Sequence, residues 1–312
     1  MPVTSLTMRV REIREETPRI RSVVLEAASD APLPGFEAGA HVRVSLPGGG
    51  DRAYSLVDLP QWRDGRHYVL GVLLEENSTG GSTHMHGLKE GDTLTLTAPQ
   101  NHFALGDGPV HLVAGGIGIT PILSMAAALE AAGRDYVLDY YGRAEGHLAF
   151  LAELTALCGP RLRVHYDDAG AVPLAETVAA AAASGAEIHV CGPKGMIEAV
   201  RAAAGDAPVR FELFTAEPAD QAGDAPFEVQ AGRDGPVVTV NPGQSIIEAL
   251  EDAGIDVVYD CQRGDCGICQ VDVLEGIPDH RDVVLSEAER ESNSVIQICV
   301  SRSRSPRLVL DL

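Results

Sequence analysis

Asp260-Cys261-Gln262-Arg263-Gly264-Asp265-Cys266-Gly267-Ile268-Cys269 is the stretch on which the reading of this 312-residue chain turns. Three thiols fall within nine residues at the spacing C-x4-C-x2-C, and a fourth, Cys299, follows after 29 intervening residues. Gly264 and Gly267 lie between the thiols. They let the backbone curl tightly and turn its sulfurs inward around one compact object.

Four thiolates at this spacing suit a [2Fe–2S] cluster, with backbone N–H groups directed at the sulfurs. Three other readings compete, of which chance clustering is the plainest. Structural zinc usually takes two C-x2-C pairs, and only Cys266 and Cys269 form one here. Disulfides fit poorly in a chain whose opening, Met1-Pro2-Val3-Thr4-Ser5-Leu6, lacks the basic-then-apolar plan of an export signal. The cluster is the favoured reading, with Cys261, Cys266, Cys269 and Cys299 as ligands. A cluster carries one electron at a time and cannot take a hydride, so something must feed it.

The chain is long enough for two or three domains. Its apolar content of 45% is globular, and no apolar run is long enough to span a membrane, so no membrane partner is expected. The formal charge of −21 argues against nucleic acid, whose phosphates would repel it. Six cysteines, four of them assigned to one site, suit a reducing cytoplasm. Cys158 and Cys191 stand far apart in sequence and need not pair.

Residues 1–103 read as a small antiparallel β-barrel. Leu6–Val10, Ile20–Leu25, His41–Leu46 and Thr93–Thr97 alternate or run β-branched, separated by turns such as Pro47-Gly48-Gly49-Gly50. Within Arg52-Ala53-Tyr54-Ser55, an extended backbone puts Arg52 and Tyr54 on one face and Ala53 and Ser55 on the other. A fixed cation can then meet a phosphate while a ring lies along a flat cofactor, although cross-strand packing explains the same pattern. Asn77-Ser78-Thr79-Gly80-Gly81-Ser82-Thr83-His84-Met85-His86 offers an anion nest or a plain hairpin loop. His84 and His86 have no third metal ligand nearby and read as ordinary loop histidines.

Residues 104–216 alternate strand and helix, as an α/β domain with a parallel sheet does. The strand Val110–Ala114 runs into Gly115-Gly116-Ile117-Gly118-Ile119-Thr120-Pro121, and a helix over 122–132 follows, with Thr120 as N-cap and Pro121 as first helical residue. Strand, glycine turn and helix start together suit a dinucleotide pyrophosphate, or a tight turn without ligand. Strands are expected over 136–141, 162–166, 187–190 and 211–214, and helices over 146–157, 174–183 and 197–204. The functional candidates follow strand ends: Gly142-Arg143, Asp167-Asp168 and Cys191-Gly192-Pro193.

Residues 217–226 lack periodicity and read as a linker. Residues 227–312 form a third domain, with strands over 227–230, 237–240, 271–276 and 308–312, and a helix over 245–253. It holds 16 acidic and 7 basic side chains, a net of −9, and could present an acidic face to a basic docking surface.

Taken in this order, the three parts resemble the reductase components of Rieske-type aromatic-ring oxygenases, the phthalate dioxygenase reductase and vanillate demethylase reductase group. The resemblance covers essentially the whole chain. It implies an FMN-binding barrel (1–103), an NAD-binding α/β domain (104–216) and, after the linker, a plant-type ferredoxin domain of α+β, β-grasp form (227–312). It assigns Arg52, Ala53, Tyr54, Ser55, Gly80, Gly81 and Ser82 to FMN. To NADH it assigns Gly115, Gly116, Gly118, Thr120, Pro121, Arg143, Asp168, Cys191, Gly192 and Pro193. Ser55, Cys191 and Phe214 are placed at the reacting rings. Thr79 stands where relatives commonly carry arginine, which leaves Arg52 as the clearest cation for the phosphate. A carboxylate at Asp167-Asp168 disfavours the 2′-phosphate of NADPH.

The implied activity is hydride transfer from NADH to FMN, then single electrons through the cluster to a terminal Rieske-type oxygenase. A second reading is an NADH:acceptor reductase for another iron–sulfur or haem partner. A third, a non-enzymatic redox sensor, leaves the flavin and nucleotide motifs unused.

Overall fold

In Thr93-Leu94-Thr95-Leu96-Thr97 both leucines are buried while the threonines reach the surface, so one face of this strand is committed to a core. The same economy runs through the first sheet of the computed structural model, which describes residues 5–76, 78, 80–167, 173–214, 224–259, 261–264 and 266–312. Strands β1 (Ser5–Thr17), β2 (Ile20–Ala27), β3 (His41–Ser45), β4 (Asp51–Ser55), β5 (His67–Leu73) and β6 (Thr93–Thr97) pair in the order β4-β3-β6-β1-β2-β5. Every pairing is antiparallel, and a bridge from Leu56 to Leu70 joins the two edges, closing the sheet into a barrel. Met8, Val23, Leu25, Val42, Val44, Leu70 and Leu96 fill its interior.

Where a hairpin loop was one expectation, a short helix, α1 (Gly81–Gly87), carries His84 and His86. Its start needs a left-handed backbone, which Gly80 supplies at φ 106°. Asn77 and Thr79 lie outside the described residues.

The second sheet is parallel throughout. Strands β7 (Val110–Gly115), β8 (Tyr136–Gly142), β9 (Leu162–Tyr166), β10 (Glu187–Cys191) and β11 (Val209–Glu212) pair in the order β11-β10-β7-β8-β9. The helices α2 (Ile119–Ala131), α3 (Leu151–Cys158), α4 (Leu174–Ala183) and α5 (Lys194–Ala204) lie between strands in the chain. The chain winds outward from β7 through β8 to β9, then crosses back to β10 on β7's other side. The strand order therefore reverses between β7 and β10, which opens a crevice at their carboxyl ends.

Three helix starts in this domain differ from expectation. Helix α2 starts at Ile119, so Thr120 is its second residue and not its cap. A tight 3-10 turn over Gly116–Gly118 winds the chain early, and Pro121 still falls in the first turn, where a missing N–H costs nothing. Helix α3 starts five residues later than the pattern suggested, because Phe150 is left-handed at φ 57°. Helix α5 starts at Lys194, directly after Pro193.

Barrel and parallel sheet share apolar packing: Ile20, Val24, Val57 and Val69 belong to one cluster with Leu112, Ile122, Leu123 and Phe150. Ser124 of α2 pins the seam by donating to the Leu56 carbonyl (2.6 Å) and accepting from the Asp58 amide (2.9 Å). These elements make one compact unit, Met1–Phe214, and Thr215–Leu312 makes a second.

The second unit has its own mixed sheet. Strands β12 (Phe227–Ala231), β13 (Val237–Val240), β14 (Gln270–Glu275), β16 (Val295–Gln297) and β18 (Arg307–Leu310) pair in the order β13-β12-β18-β14-β16, with β12 and β18 parallel. A two-stranded ribbon pairs β15 (Pro278–Asp279) with β17 (Arg302–Ser303). Helix α6 (Ile246–Asp252) buries Ile246, Ile247 and Leu250 in the core with Phe227, Val229 and Leu310. A short helix, α7 (Glu287–Ser292), was not expected. Both helices open on a capping box, Ser245/Glu248 and Ser286/Glu289, a Ser-x-x-Glu signal visible in the sequence. Most of the expected linker (217–223) lies outside the described residues. Asp224, inside the expected linker, is held by Arg281 (2.6 Å) and Arg302 (3.2 Å).

Candidate functional site

The crevice between β7 and β10 is built from glycines in contact with a turn. A Cβ on Gly118 would stand 2.1 Å from the Cys191 carbonyl oxygen, and one on Gly115 would meet Met196 Sδ at 2.7 Å and Pro193 Cδ at 2.9 Å. The Gly115–Pro121 turn and the Cys191-Gly192-Pro193 turn therefore touch backbone to backbone. Glycine at 115 and 118 is required by that approach, whatever else the turn binds. The Thr120 side chain is buried and donates to the Ile117 carbonyl (3.1 Å), so its hydroxyl tightens the turn from inside. Pro121 and Cys191 are buried as well.

The barrel reaches the same place. Ser55 ends β4, and its hydroxyl donates to Glu212 Oε2 at 3.4 Å, with both side chains buried. Glu212 ends β11 and is the register partner of Cys191 on β10. Ser55, Glu212, Cys191 and Gly118 thus converge from four elements. Phe214, two residues beyond Glu212, is half-buried against the cluster shared by barrel and sheet. Glu212 was missed in the sequence, where Phe211-Glu212-Leu213-Phe214 reads as a closing strand. Its signal was an acidic residue in an otherwise apolar run, too common to single out.

On the other face of β4, Gly81 lies against Arg52 and Tyr54: a Cβ there would come 2.6 Å from Arg52 Cγ and 3.3 Å from the Tyr54 hydroxyl. Ala53 lies between them, half-buried and paired with Arg43 of β3. The expected sharing of a face by Arg52 and Tyr54 is therefore seen, with the start of α1 laid on it. Burial pushes the Tyr54 hydroxyl up to about 12, against the pull of Arg52, so it is neutral at physiological pH. Ser82 accepts from the Glu75 amide (3.1 Å) and donates to the Ser78 hydroxyl (2.9 Å), which ties the start of α1 back to the residues just after β5.

Arg143 is exposed just past β8, and Asp167 is exposed just past the neighbouring β9. Asp168 lies outside the described residues. None of the expected nucleotide positions that are described falls at the amino ends of the sheet.

In the second unit the four cysteines meet. The Cys261 thiol lies close enough to those of Cys266 and Cys299 to couple with them, and Cys299 couples likewise with Cys269. Contact with Cys261 raises the Cys266 thiol, contacts with Cys261 and Cys269 raise Cys299, and contact with Cys299 draws Cys269 down. Thiols this crowded cannot all ionise alone, and a bound cation would remove that restraint. Cys261, Cys269 and Cys299 are buried, while Cys266 stays partly open.

Backbone N–H groups also face sulfur. The Arg263 amide reaches Cys261 Sγ at 3.3 Å, and amides of the loop bond to Cys266. Gly264 and Gly267 both adopt φ 77°, as the loop's curl requires. A Cβ on Gly264 would also strike Val300 Cγ2 at 2.6 Å. This donor set, soft thiolates with N–H groups aimed at them, fits an iron–sulfur cluster. Asp260 and Asp265 lie outside the described residues.

Residues 230–304 match the 2Fe-2S iron-sulfur cluster binding domain family. The chain is 42% identical over 326 residues to tetrachlorobenzoquinone reductase of Sphingobium chlorophenolicum, covering 100% of this chain and 99% of that one. It is 39% identical over 317 residues to the heme-dependent oxidative N-demethylase beta subunit of Ectopseudomonas mendocina (strain ymp), covering 99% of each. Among solved structures, phthalate dioxygenase reductase, "a modular structure for electron transfer from pyridine nucleotides to [2Fe–2S]", aligns with a TM-score of 0.73 at 35% identity. That alignment covers 99% of this chain and 98% of the other.

Proposed function

This chain belongs to the reductase family of oxygenase systems that includes phthalate dioxygenase reductase, and on that premise we propose that it is the NADH-oxidising component of a Rieske-type oxygenase. The observation that carries the reading is the convergence of Ser55, Glu212, Cys191 and Gly118 at one crevice, in a chain that also brings Cys299 to the three thiols of one loop. We assign residues 1–103 to the flavin domain, 104–216 to the nucleotide domain, 217–226 to the linker and 227–312 to the ferredoxin domain.

The residues present suit the groups this chemistry needs. FMN would be held by Arg52, Ala53, Tyr54, Ser55, Gly80, Gly81 and Ser82, and the cluster by Cys261, Cys266, Cys269 and Cys299. When bound, flavin and cluster together turn a two-electron hydride into single electrons. Arg52 supplies a fixed positive charge beside the start of α1. Tyr54 offers a neutral ring and hydroxyl. Ser55, its proton directed to Glu212, keeps its lone pairs for an N–H donor at the barrel's end. The Gly115–Pro121 and Cys191–Pro193 turns shape the seat of the nicotinamide and its phosphates, with Phe214 beside the ring. We assign Arg143, Asp167 and Asp168 to the adenosine end, where carboxylates would favour NADH over NADPH.

The test is anaerobic reduction. NADH should bleach both flavin and cluster absorbance, and Cys266→Ser should lose cytochrome c reduction while NADH still reduces the flavin rapidly. If a folded Cys266→Ser protein no longer reduced its flavin, the proposed order of carriers would fail. A haem partner is the second reading, favoured by the likeness to the heme-dependent N-demethylase subunit over 99% of both chains. Turnover with a purified Rieske oxygenase against a haem oxygenase separates the two.

A further inference from the structure

One side chain outside the expected set reaches the nucleotide turn from below. Tyr140 lies on β8 as the register partner of Ala114 on β7, and it is fully buried. Its hydroxyl donates to the Gly116 carbonyl at 3.0 Å, with a weaker approach to the Ala149 carbonyl at 3.4 Å. Burial holds the phenol well above its ordinary range, so it keeps its proton and remains a donor. Gly116 is the left-handed residue of the turn, at φ 55°, and no atom lies within 4 Å of where its Cβ would be.

Two donors meet on that carbonyl, the Tyr140 hydroxyl and the Ile119 amide that opens α2. In a trans peptide the carbonyl and the following N–H point in opposite directions. Fixing the Gly116 carbonyl towards the sheet therefore turns the Ile117 amide the other way. The Ala149 side of the bond is braced in turn: the next residue, Phe150, donates its amide to Glu16 of β1 at 3.4 Å, and its ring packs where a Cβ on Gly71 of β5 would stand.

We propose that Tyr140 is a positioning residue for the pyridine nucleotide, its hydroxyl locking the Gly116 peptide so that the amides of the Gly115–Pro121 turn face the phosphates. The proposal rests on that turn being the nucleotide site. It concerns binding, since Tyr140 itself touches neither nucleotide nor flavin when it is buried beneath the turn.

Tyr140→Phe removes only the oxygen, and loss of one buried hydrogen bond corresponds to about tenfold in affinity. With the loaded enzyme, the KM for NADH should rise about tenfold while kcat changes less than about twofold. Calorimetric titration with NAD+ should show the same loss. Flavin reduction by a phosphate-free dihydronicotinamide should not change. An unaltered KM and NAD+ affinity would overturn the proposal, as would an equal slowing with both donors, which marks a merely structural role. Gly116→Ala is the companion arm. If it weakens NAD+ binding while Tyr140→Phe does not, Tyr140 alone is wrong. If neither does, the turn is not the nucleotide site.

Discussion

The Ser55 hydroxyl and the Glu212 carboxylate, 157 residues apart in sequence, meet at 3.4 Å where the barrel abuts the parallel sheet. One residue ends a strand of the flavin-side barrel, and the other ends the edge strand of the nucleotide-side sheet. The contact ties the two halves of the proposed hydride-transfer site together in a buried setting. There a hydrogen bond is hard to replace with water.

Removing either partner should therefore slow the chemistry more than it weakens binding. Ser55→Ala is expected to lower the limiting rate of flavin reduction by NADH about tenfold, the loss of one oriented hydrogen bond. Glu212→Gln, which can still accept from Ser55, should cost less than Glu212→Ala. Stopped-flow reduction under anaerobic conditions reads this, and an unchanged limiting rate in Ser55→Ala would count against a role at the reacting ring.

Gly118→Ala tests the packing of the two turns. The added carbon would stand 2.1 Å from the Cys191 carbonyl oxygen, so the β10 turn must move. Overpacking of this kind costs about 1–3 kcal/mol. A lowered Tm together with a raised KM for NADH is expected, and neither should recover at high flavin concentration.

Asp139 is a buried carboxylate that accepts from His111 and His165, each at 2.6 Å, and so links β7, β8 and β9. Burial alone would raise its pKa, but the two histidine hydrogen bonds outweigh that and hold it below the usual carboxylate range. A depressed folded pKa gives stability that is present above the unfolded value, about 4, and is lost as pH falls through the folded value. Asp139→Asn should cost about 3–5 kcal/mol at pH 7. The gap between wild type and variant should narrow below about pH 4. Denaturant unfolding across pH measures both, and a gap that does not depend on pH would refute the linkage.

Removing the cluster should loosen one unit only. Met1–Phe214 and Thr215–Leu312 have separate cores, and Cys269 and Cys299 form part of the second. Calorimetry of holo protein and of protein stripped of iron should show one transition moving down while the other stays within a few degrees. NADH binding should survive the treatment.

Much of this was legible from local pattern. Thr93–Thr97 and His41–Ser45 show their alternation openly, since a half-buried strand is written in single residues. Helix starts were less so. Thr120 reads as a cap, yet the 3-10 turn over Gly116–Gly118 draws the helix back to Ile119, and Phe150 enters a left-handed conformation that no local preference announces. Helix α7 was overlooked although its Ser286/Glu289 capping box stood in plain view, because six residues carry too little apolar period.

The sequence by itself determined the electron-transfer end of this protein. Cys261, Cys266 and Cys269 are near neighbours along the chain, so their spacing alone dictates a loop that can gather thiols, and only Cys299 must be brought from afar. The hydride-transfer end was decided by tertiary structure. Cys191 and Glu212 become partners through parallel pairing, Ser55 arrives from a different sheet, and Tyr140 reaches Gly116 from the next strand. Contacts of that kind depend on how sheets stack and where strand order reverses, and spacing along the chain does not encode them.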